Sequence, residues 1–268
     1  MDKELLRALQ LRKLDTMHEI ERICEKHSLR FFLDYGTLLG AIRHGGYIPW
    51  DDDIDLSMPI SDYNAFLKVA KKELDPRFFL QTAETDPPYS LPFIKIRTNG
   101  TTDLYLPWKK YPIHQGLCLD IFPIFPLANH PLLRWLQYKA SMLYKLSYRG
   151  RVFDKNKGVL LLQKIVHLLP RKLWAWITQP LFARYSEEKA SHYSHLIEEP
   201  KGYVKKSDLF PLSKLKFEDK LYPVPAGYDT YMTSIYGDYM TPPPESERTG
   251  HEGFIVDLER SYEKYLDR

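Results

Sequence analysis

The residues best suited to chemistry in this chain are four aspartates crowded into the stretch Trp50-Asp-Asp-Asp-Ile-Asp-Leu-Ser-Met58. Read as an extended segment, the stretch turns Asp51, Asp53 and Asp55 to one side and Ile54, Leu56 and Met58 to the other. The apolar side can enter a core; the acidic side cannot. Carboxylates this close repel one another unless a cation lies between them, and hard oxygen ligands of this kind suit Mg²⁺ or Mn²⁺. The chemistry expected of such a cluster is metal-dependent phosphoryl transfer, with a solvated acidic turn as the plain alternative. Trp50 on one flank and the alternating apolar strand on the other weigh against a turn.

Other segments must position these acids. Phe31 to Asp34 reads as a first core strand, and Gly36-Thr37 as a turn into a helix carrying Leu38, Leu39, Ala41 and Ile42. Amide groups at that helix start can receive phosphate oxygens, so Gly36 and Thr37 are candidate donor-binding positions. Phe93-Ile-Lys-Ile-Arg97 alternates as a strand and sets Lys95 and Arg97 on one face, within reach of a phosphate or merely exposed. Gly116 to Ile124 is a very apolar strand interrupted by Asp120. A carboxylate there is costly to bury without a partner, which an ion pair with Arg97, a helix cap or a metal would supply.

The segments Asp34-Tyr-Gly-Thr-Leu-Leu-Gly40 and Gly46-Tyr-Ile-Pro-Trp-Asp-Asp-Asp-Ile-Asp55 occur in this order, followed by Leu119-Asp-Ile-Phe-Pro123. This composite resembles the signature of the LicD family, phosphocholine transferases related to the fukutin-type phosphotransferases. The Val224-Pro element, Tyr236-Gly-Asp-Tyr239 and Pro242-Pro243-Pro244 resemble a second signature of the same family. The resemblance implies an α/β (α+β) fold, a nucleotidyltransferase-like mixed sheet flanked by helices. It implies a cation on Asp53 and Asp55 completed by Asp120, with Asp51 or Asp120 as base toward an acceptor hydroxyl. The donor would be CDP-choline, and the acceptor a glycan of a teichoic acid or lipopolysaccharide precursor. Ribitol phosphate or glycerol phosphate donors remain open, as does a nucleotidyltransferase attaching a nucleoside monophosphate from a triphosphate. A binding protein with a vestigial site is the non-enzymatic rival, which the intact acids oppose. Around the second signature, Tyr236 is a candidate to stack on a base or enclose a quaternary ammonium, and His251 to bind phosphate or move a proton.

The 268 residues, 44% hydrophobic and 14% aromatic, suffice for a packed core. Cys24 and Cys118 have no disulfide or metal spacing, which predicts free, buried thiols and a reducing cytoplasm. No signal peptide and no run long enough to span a membrane is visible. Apolar spacing predicts a long amphipathic helix over 2–27 and a second over 61–74 capped by Ser61 or Asp62, with a strand at 78–82. Eleven basic residues against Asp154 give 130–185 a net charge of +10 in a chain of +3, leaving −7 elsewhere. Interleaved aromatics and leucines there fit helices lying on an anionic membrane, possible peripheral contact at the inner face of the cell membrane, or a solvated helical subdomain; no nucleic-acid motif accompanies them. The expected organisation is a catalytic core over 1–129, a basic helical segment over 130–200 and a part over 201–268 that completes the donor and acceptor site.

Overall fold

In the computed structural model, which describes residues 2–148, 157–197, 202–248 and 253–266, the chain opens with helix α1 (Lys3–Lys26), capped by the Asp2 carboxylate on the Leu5 amide. One flank of α1 buries Leu9, Met17, Ile20 and Ile23 against the core. A second buried flank is polar, with Gln10, Lys13, Thr16 and Glu19 recurring every third residue. The four reach three separate segments of the chain. Gln10 donates to the Asp51 carbonyl at 2.7 Å, Lys13 to Asp52 at 3.1 Å, Thr16 meets Thr98 at 3.2 Å, and Glu19 accepts the Asp75 amide at 2.9 Å.

The central sheet is built from β1 (Phe32–Leu33), β2 (Asp55–Pro59), β3 (Phe78–Gln81), β4 (Ile94–Thr98) and β6 (Cys118–Leu127), ordered β1-β2-β6-β4-β3. Only β2 and β6 run parallel, in the register Asp55↔Asp120 through Pro59↔Ile124. The last part of β6 pairs with β7 (His192–Ser194), which in turn pairs with β8 (Val204–Lys205). Helix α2 (Tyr35–His44) starts from the Asp34 cap and stops at Gly45, whose φ of 64° no β-carbon would tolerate cheaply. Helix α3 (Ile60–Glu73) follows β2 directly.

β5 (Thr102–Tyr105) pairs with the distant β11 (Phe254–Asp257). Helices α4 (Pro131–Tyr148), α5 (Lys157–Val166) and α6 (Arg171–Phe182) occupy the basic stretch. The short α7 (Lys206–Leu209), the hairpin β9 (Ser213–Phe217) with β10 (Lys220–Val224), and α8 (Tyr228–Tyr236) complete the chain's regular elements. The buried cluster runs from Leu14 and Met17 through the strands to Tyr222, Tyr231 and Met232, so the carboxy-terminal elements share the core of the sheet. No helix among the described residues is long and apolar enough to cross a membrane.

The α+β class expected from sequence is the class found, with three local corrections. The acidic run is not a strand throughout: β2 begins at Asp55, and Asp51 to Ile54 form an irregular lead-in held by Gln10, Thr37 and Lys13 rather than by a ladder. The side alternation nevertheless persists, with Asp52, Ile54 and Leu56 buried and Asp53 exposed. Helix α3 begins at Ile60 after Pro59 with no side-chain cap, because Ser61 and Asp62 bond Glu187 and Arg30 instead. Cys24 is buried as expected, but Cys118 is only half-buried, lying at the start of β6 where the sheet faces the acids.

Candidate active site

Parallel pairing of β2 with β6 sets Asp55 directly beside Asp120, and antiparallel pairing of β6 with β4 sets Lys95 on the other side of Asp120. A carboxylate, a carboxylate and an ammonium thus cross three adjacent strands in one line. Both Asp120 oxygens lie 2.6 Å from Lys95 Nζ. The partner of Asp120, which is partly buried in the apolar strand, is therefore Lys95, not Arg97. Burial works against the charge of Lys95, yet Asp120 and Cys118 hold its ammonium above the usual lysine range.

Ahead of Asp55 the irregular lead-in folds Asp51, Asp52 and Asp53 so that one oxygen of each lies within 4.8 Å of the others. Two features of α2 allow this approach. The Thr37 hydroxyl accepts the Asp55 amide at 2.8 Å and so clips the lead-in to the helix. Gly36 faces Asp51, and a β-carbon there would sit 2.9 Å from Asp51 Oδ2. Gly36 is thus the floor on which that carboxylate rests.

Lys13 and Asp52 are both 1% exposed, and Lys13 also lies 3.4 Å from Asp103 and 3.7 Å from Asp53. Burial opposes the Lys13 charge, but Asp103, Asp52 and Asp53 together push its pKa well up, so the ammonium is retained. One cation therefore anchors the acidic lead-in from behind by its inward-facing aspartate. Burial and the charges of Asp53, Asp120, Asp51 and Asp34 push the Asp55 carboxyl far above the ordinary range. Desolvation, Asp52, Asp120 and Asp51 raise Asp53 to about 6 against the pull of Lys13, although its side chain is 54% exposed. Burial and Asp52 raise Asp51 as well. Carboxylates in this state are short of positive charge, and their oxygen-only donor set fits Mg²⁺ or Mn²⁺.

The remaining sequence-derived positions fall into different settings. Arg97 is buried and donates to Gln81 at 2.8 Å and to the Gly116 carbonyl at 2.7 Å, bracing β4 against the loop before β6. Tyr236 ends α8 with its ring partly exposed. His251 lies outside the described residues.

Three features escape the sequence reading. Asp34 is fully buried and gathers four groups: its own helix start through the Tyr35 amide, Tyr231 at 2.7 Å, Ser57 at 2.5 Å and His195 Nε2 at 3.0 Å. It joins β1, β2, the segment after β7 and α8 into one support beneath the site. Lys13 is the second. The third is a pair of arginines at the rim: Arg248 lies 4.6 Å over the ring of Trp50, the neighbour of Asp51, and donates to the Pro243 carbonyl at 3.0 Å. Arg43 leaves α2 on the same side, donating one nitrogen to the Tyr239 carbonyl at 3.1 Å, while its buried Nε has no hydrogen-bond partner among the described residues. Desolvation and Arg248 lower the Arg43 pKa. The only sequence signal for these cations is their closeness to Trp50 and to the Pro242–Pro244 run.

Residues 28–148 match the family model described as LicD/FKTN/FKRP, nucleotidyltransferase domain. Over 268 aligned residues, covering 96% of this chain and 100% of the relative, the chain is 29% identical to the lipopolysaccharide cholinephosphotransferase LicD of Haemophilus influenzae. It is 42% identical over 57 residues to the human ribitol 5-phosphate transferase FKRP, a match spanning 21% of this chain and 11% of that protein. Over 120 residues it is 25% identical to mannosyltransferase regulator 4 of Saccharomyces cerevisiae, covering 42% of this chain and 10% of that protein.

Proposed function

With residues 28–148 forming a domain of the LicD/FKTN/FKRP nucleotidyltransferase family, we propose that this chain transfers phosphocholine from CDP-choline to a hydroxyl of a glycan and releases CMP. The observation that carries the reading is the register Asp55↔Asp120, which brings two carboxylates side by side behind the Asp51–Asp53 cluster. The relative covered over its full length, a lipopolysaccharide cholinephosphotransferase, favours choline phosphate as the transferred group and a lipopolysaccharide-type glycan as acceptor. The reaction is assigned to the cytoplasmic side of a membrane, where a nucleotide donor can meet a lipid-linked glycan.

Asp53, Asp55 and Asp120 would hold the divalent cation, Mg²⁺ or Mn²⁺, which supplies charge neutralisation on the diphosphate. Arg43 and Arg248 at the rim, with the amides of Gly36 and Thr37, receive the donor's phosphate oxygens. Lys95 fixes Asp120 through both of its oxygens. Asp51, raised by burial and by Asp52, is the better base for the acceptor hydroxyl, since Asp120 is committed to Lys95. The acceptor oxygen forms a bond to the choline-bearing phosphorus, and the bond from that phosphorus to the bridging oxygen breaks. CMP leaves with the electron pair, and the hydroxyl proton passes to Asp51.

Incubating the protein with Mg²⁺, a glycan acceptor and CDP-choline, then identifying the products by mass spectrometry, tests this. CMP with a phosphocholine-bearing glycan is the expected outcome. Turnover confined to CDP-ribitol would move the reading to the chemistry named for FKRP. Pyrophosphate released from a nucleoside triphosphate, with a nucleotidylated acceptor, would replace it by nucleotidyl transfer.

A further inference from the structure

Most of the large apolar side chains that face solvent lie in one part of the chain, between Leu132 and Leu181. They concentrate on α5, α6 and the turn between them, where Leu161, Ile165, Leu168, Leu169, Trp176 and Leu181 are all exposed, Leu168 by 80% and Trp176 by 75%. On α5, Gln163 and Val166 are buried at the inner side while Leu161, Leu162 and Ile165 face outward. The inner side is fixed, since Val166 is buried and its carbonyl accepts the Trp174 indole at 2.6 Å, so the outward leucines are held there by the fold.

The charges around this face are of one sign. Lys139, Lys164, Lys172 and Arg184 are exposed, and the sequence from 131 to 186 contains Asp154 as its sole acidic residue. A protein partner would be expected to meet such a face with both charges and apolar groups. Apolar side chains bordered by cations, with an indole among them, match the chemistry of a bilayer leaflet bearing anionic headgroups. Helix α4 packs against α6 and ties the face to the end of β6, so a bilayer bound here is rigidly placed relative to the catalytic sheet.

We infer that the outer face of α5 and α6, from Leu161 to Leu181, inserts into the surface of an anionic membrane without crossing it. Bilayer contact here is independent of which donor the acidic site uses.

The test uses the full chain with phosphatidylcholine vesicles, with and without phosphatidylglycerol, in low and high salt, read by co-sedimentation and tryptophan emission. Binding is expected with anionic vesicles, weaker with neutral vesicles and in high salt, with a blue shift that Trp176→Phe diminishes. Ile165→Asp with Leu168→Asp, both solvent-facing, should leave the melting temperature unchanged and weaken partitioning by about tenfold or more. The inference is overturned if neither vesicle binds the wild type, or if the double variant binds equally well. It is also overturned if vesicles fail to bind and sedimentation shows a dimer that Leu168→Asp abolishes, which would give the face to a second copy.

Discussion

Lys13 and Asp52, thirty-nine residues apart, meet at 3.1 Å with both side chains almost wholly shielded from water. The pair links the first helix to the acidic lead-in, and it separates the aspartates by role: Asp52 faces inward to a fixed cation while Asp51, Asp53 and Asp55 stay available to a ligand. Removing one partner of a buried pair leaves the other charge uncompensated. Lys13→Met should therefore lower stability by about 3–5 kcal/mol in urea unfolding. The double variant Lys13→Met with Asp52→Leu should recover part of the loss. A loss below about 1 kcal/mol in the single variant would mean that the pair does not anchor the site.

Asp55 presents the opposite balance, with its carboxyl pushed well up by burial and by Asp53, Asp120 and Asp51. Asp55→Asn removes that repulsion, so the metal-free variant should be more stable than wild type by about 1 kcal/mol while losing transfer activity. Calorimetry of the metal-free proteins checks this. A variant less stable than wild type would show that Asp55 is compensated from within the fold.

Arg43 and Arg248 stand at the rim rather than beside the reacting atoms. Arg43→Gln and Arg248→Gln should each raise the donor KM by about tenfold, with a smaller change in kcat. Steady-state kinetics across donor concentrations separates the two. An unchanged KM would remove the arginines from the donor site.

His114 accepts the Gly116 amide at Nδ1 at 3.1 Å and lies 2.9 Å from Asn99 Oδ1 through Nε2, an arrangement that needs the neutral Nε2–H tautomer. Burial, helped by Arg97, lowers its pKa to about 3. The unfolded chain takes up this proton near the ordinary histidine value and the folded chain resists it. Stability from His114 is therefore complete above about pH 6.5 and is lost as pH falls from there toward 3. His114→Gln, which can keep both hydrogen bonds, should flatten this limb of the melting temperature against pH. An unaltered slope would assign acid sensitivity to other groups.

Much of the fold was legible because the central strands and α1 to α3 carry clear apolar periodicity, and strand alternation alone put Lys95 and Arg97 on one face. Alternation cannot say which cation meets which anion, so the pairing of Asp120 with Lys95 and the burial of Arg97 required the register of β4 on β6. The polar flank of α1 was hidden for a related reason. Gln10, Lys13, Thr16 and Glu19 at helical spacing have the composition of a solvated face, and only tertiary packing shows them bonding three separate segments. Asp34 was masked by its place before a helix, where an aspartate is explained by capping alone, although it also holds Tyr231, Ser57 and His195. The segments that supply Arg248 and His195 are brought to the site over more than a hundred residues of chain, a distance no local pattern reports.

In the proposed function, Asp53, Asp55 and Asp120 form a metal-dependent site for a nucleotide-activated phosphocholine. The most direct measurement is the thermal stabilisation of wild type and Asp55→Asn by Mg²⁺ with CDP-choline, compared with Mg²⁺ and CMP, since a ligand bound to the native state must raise its melting temperature. The expected result is a clear Mg²⁺-dependent rise with CDP-choline, larger than with CMP, that disappears in Asp55→Asn. Equal stabilisation of the two proteins, or a rise that does not need Mg²⁺, would contradict it.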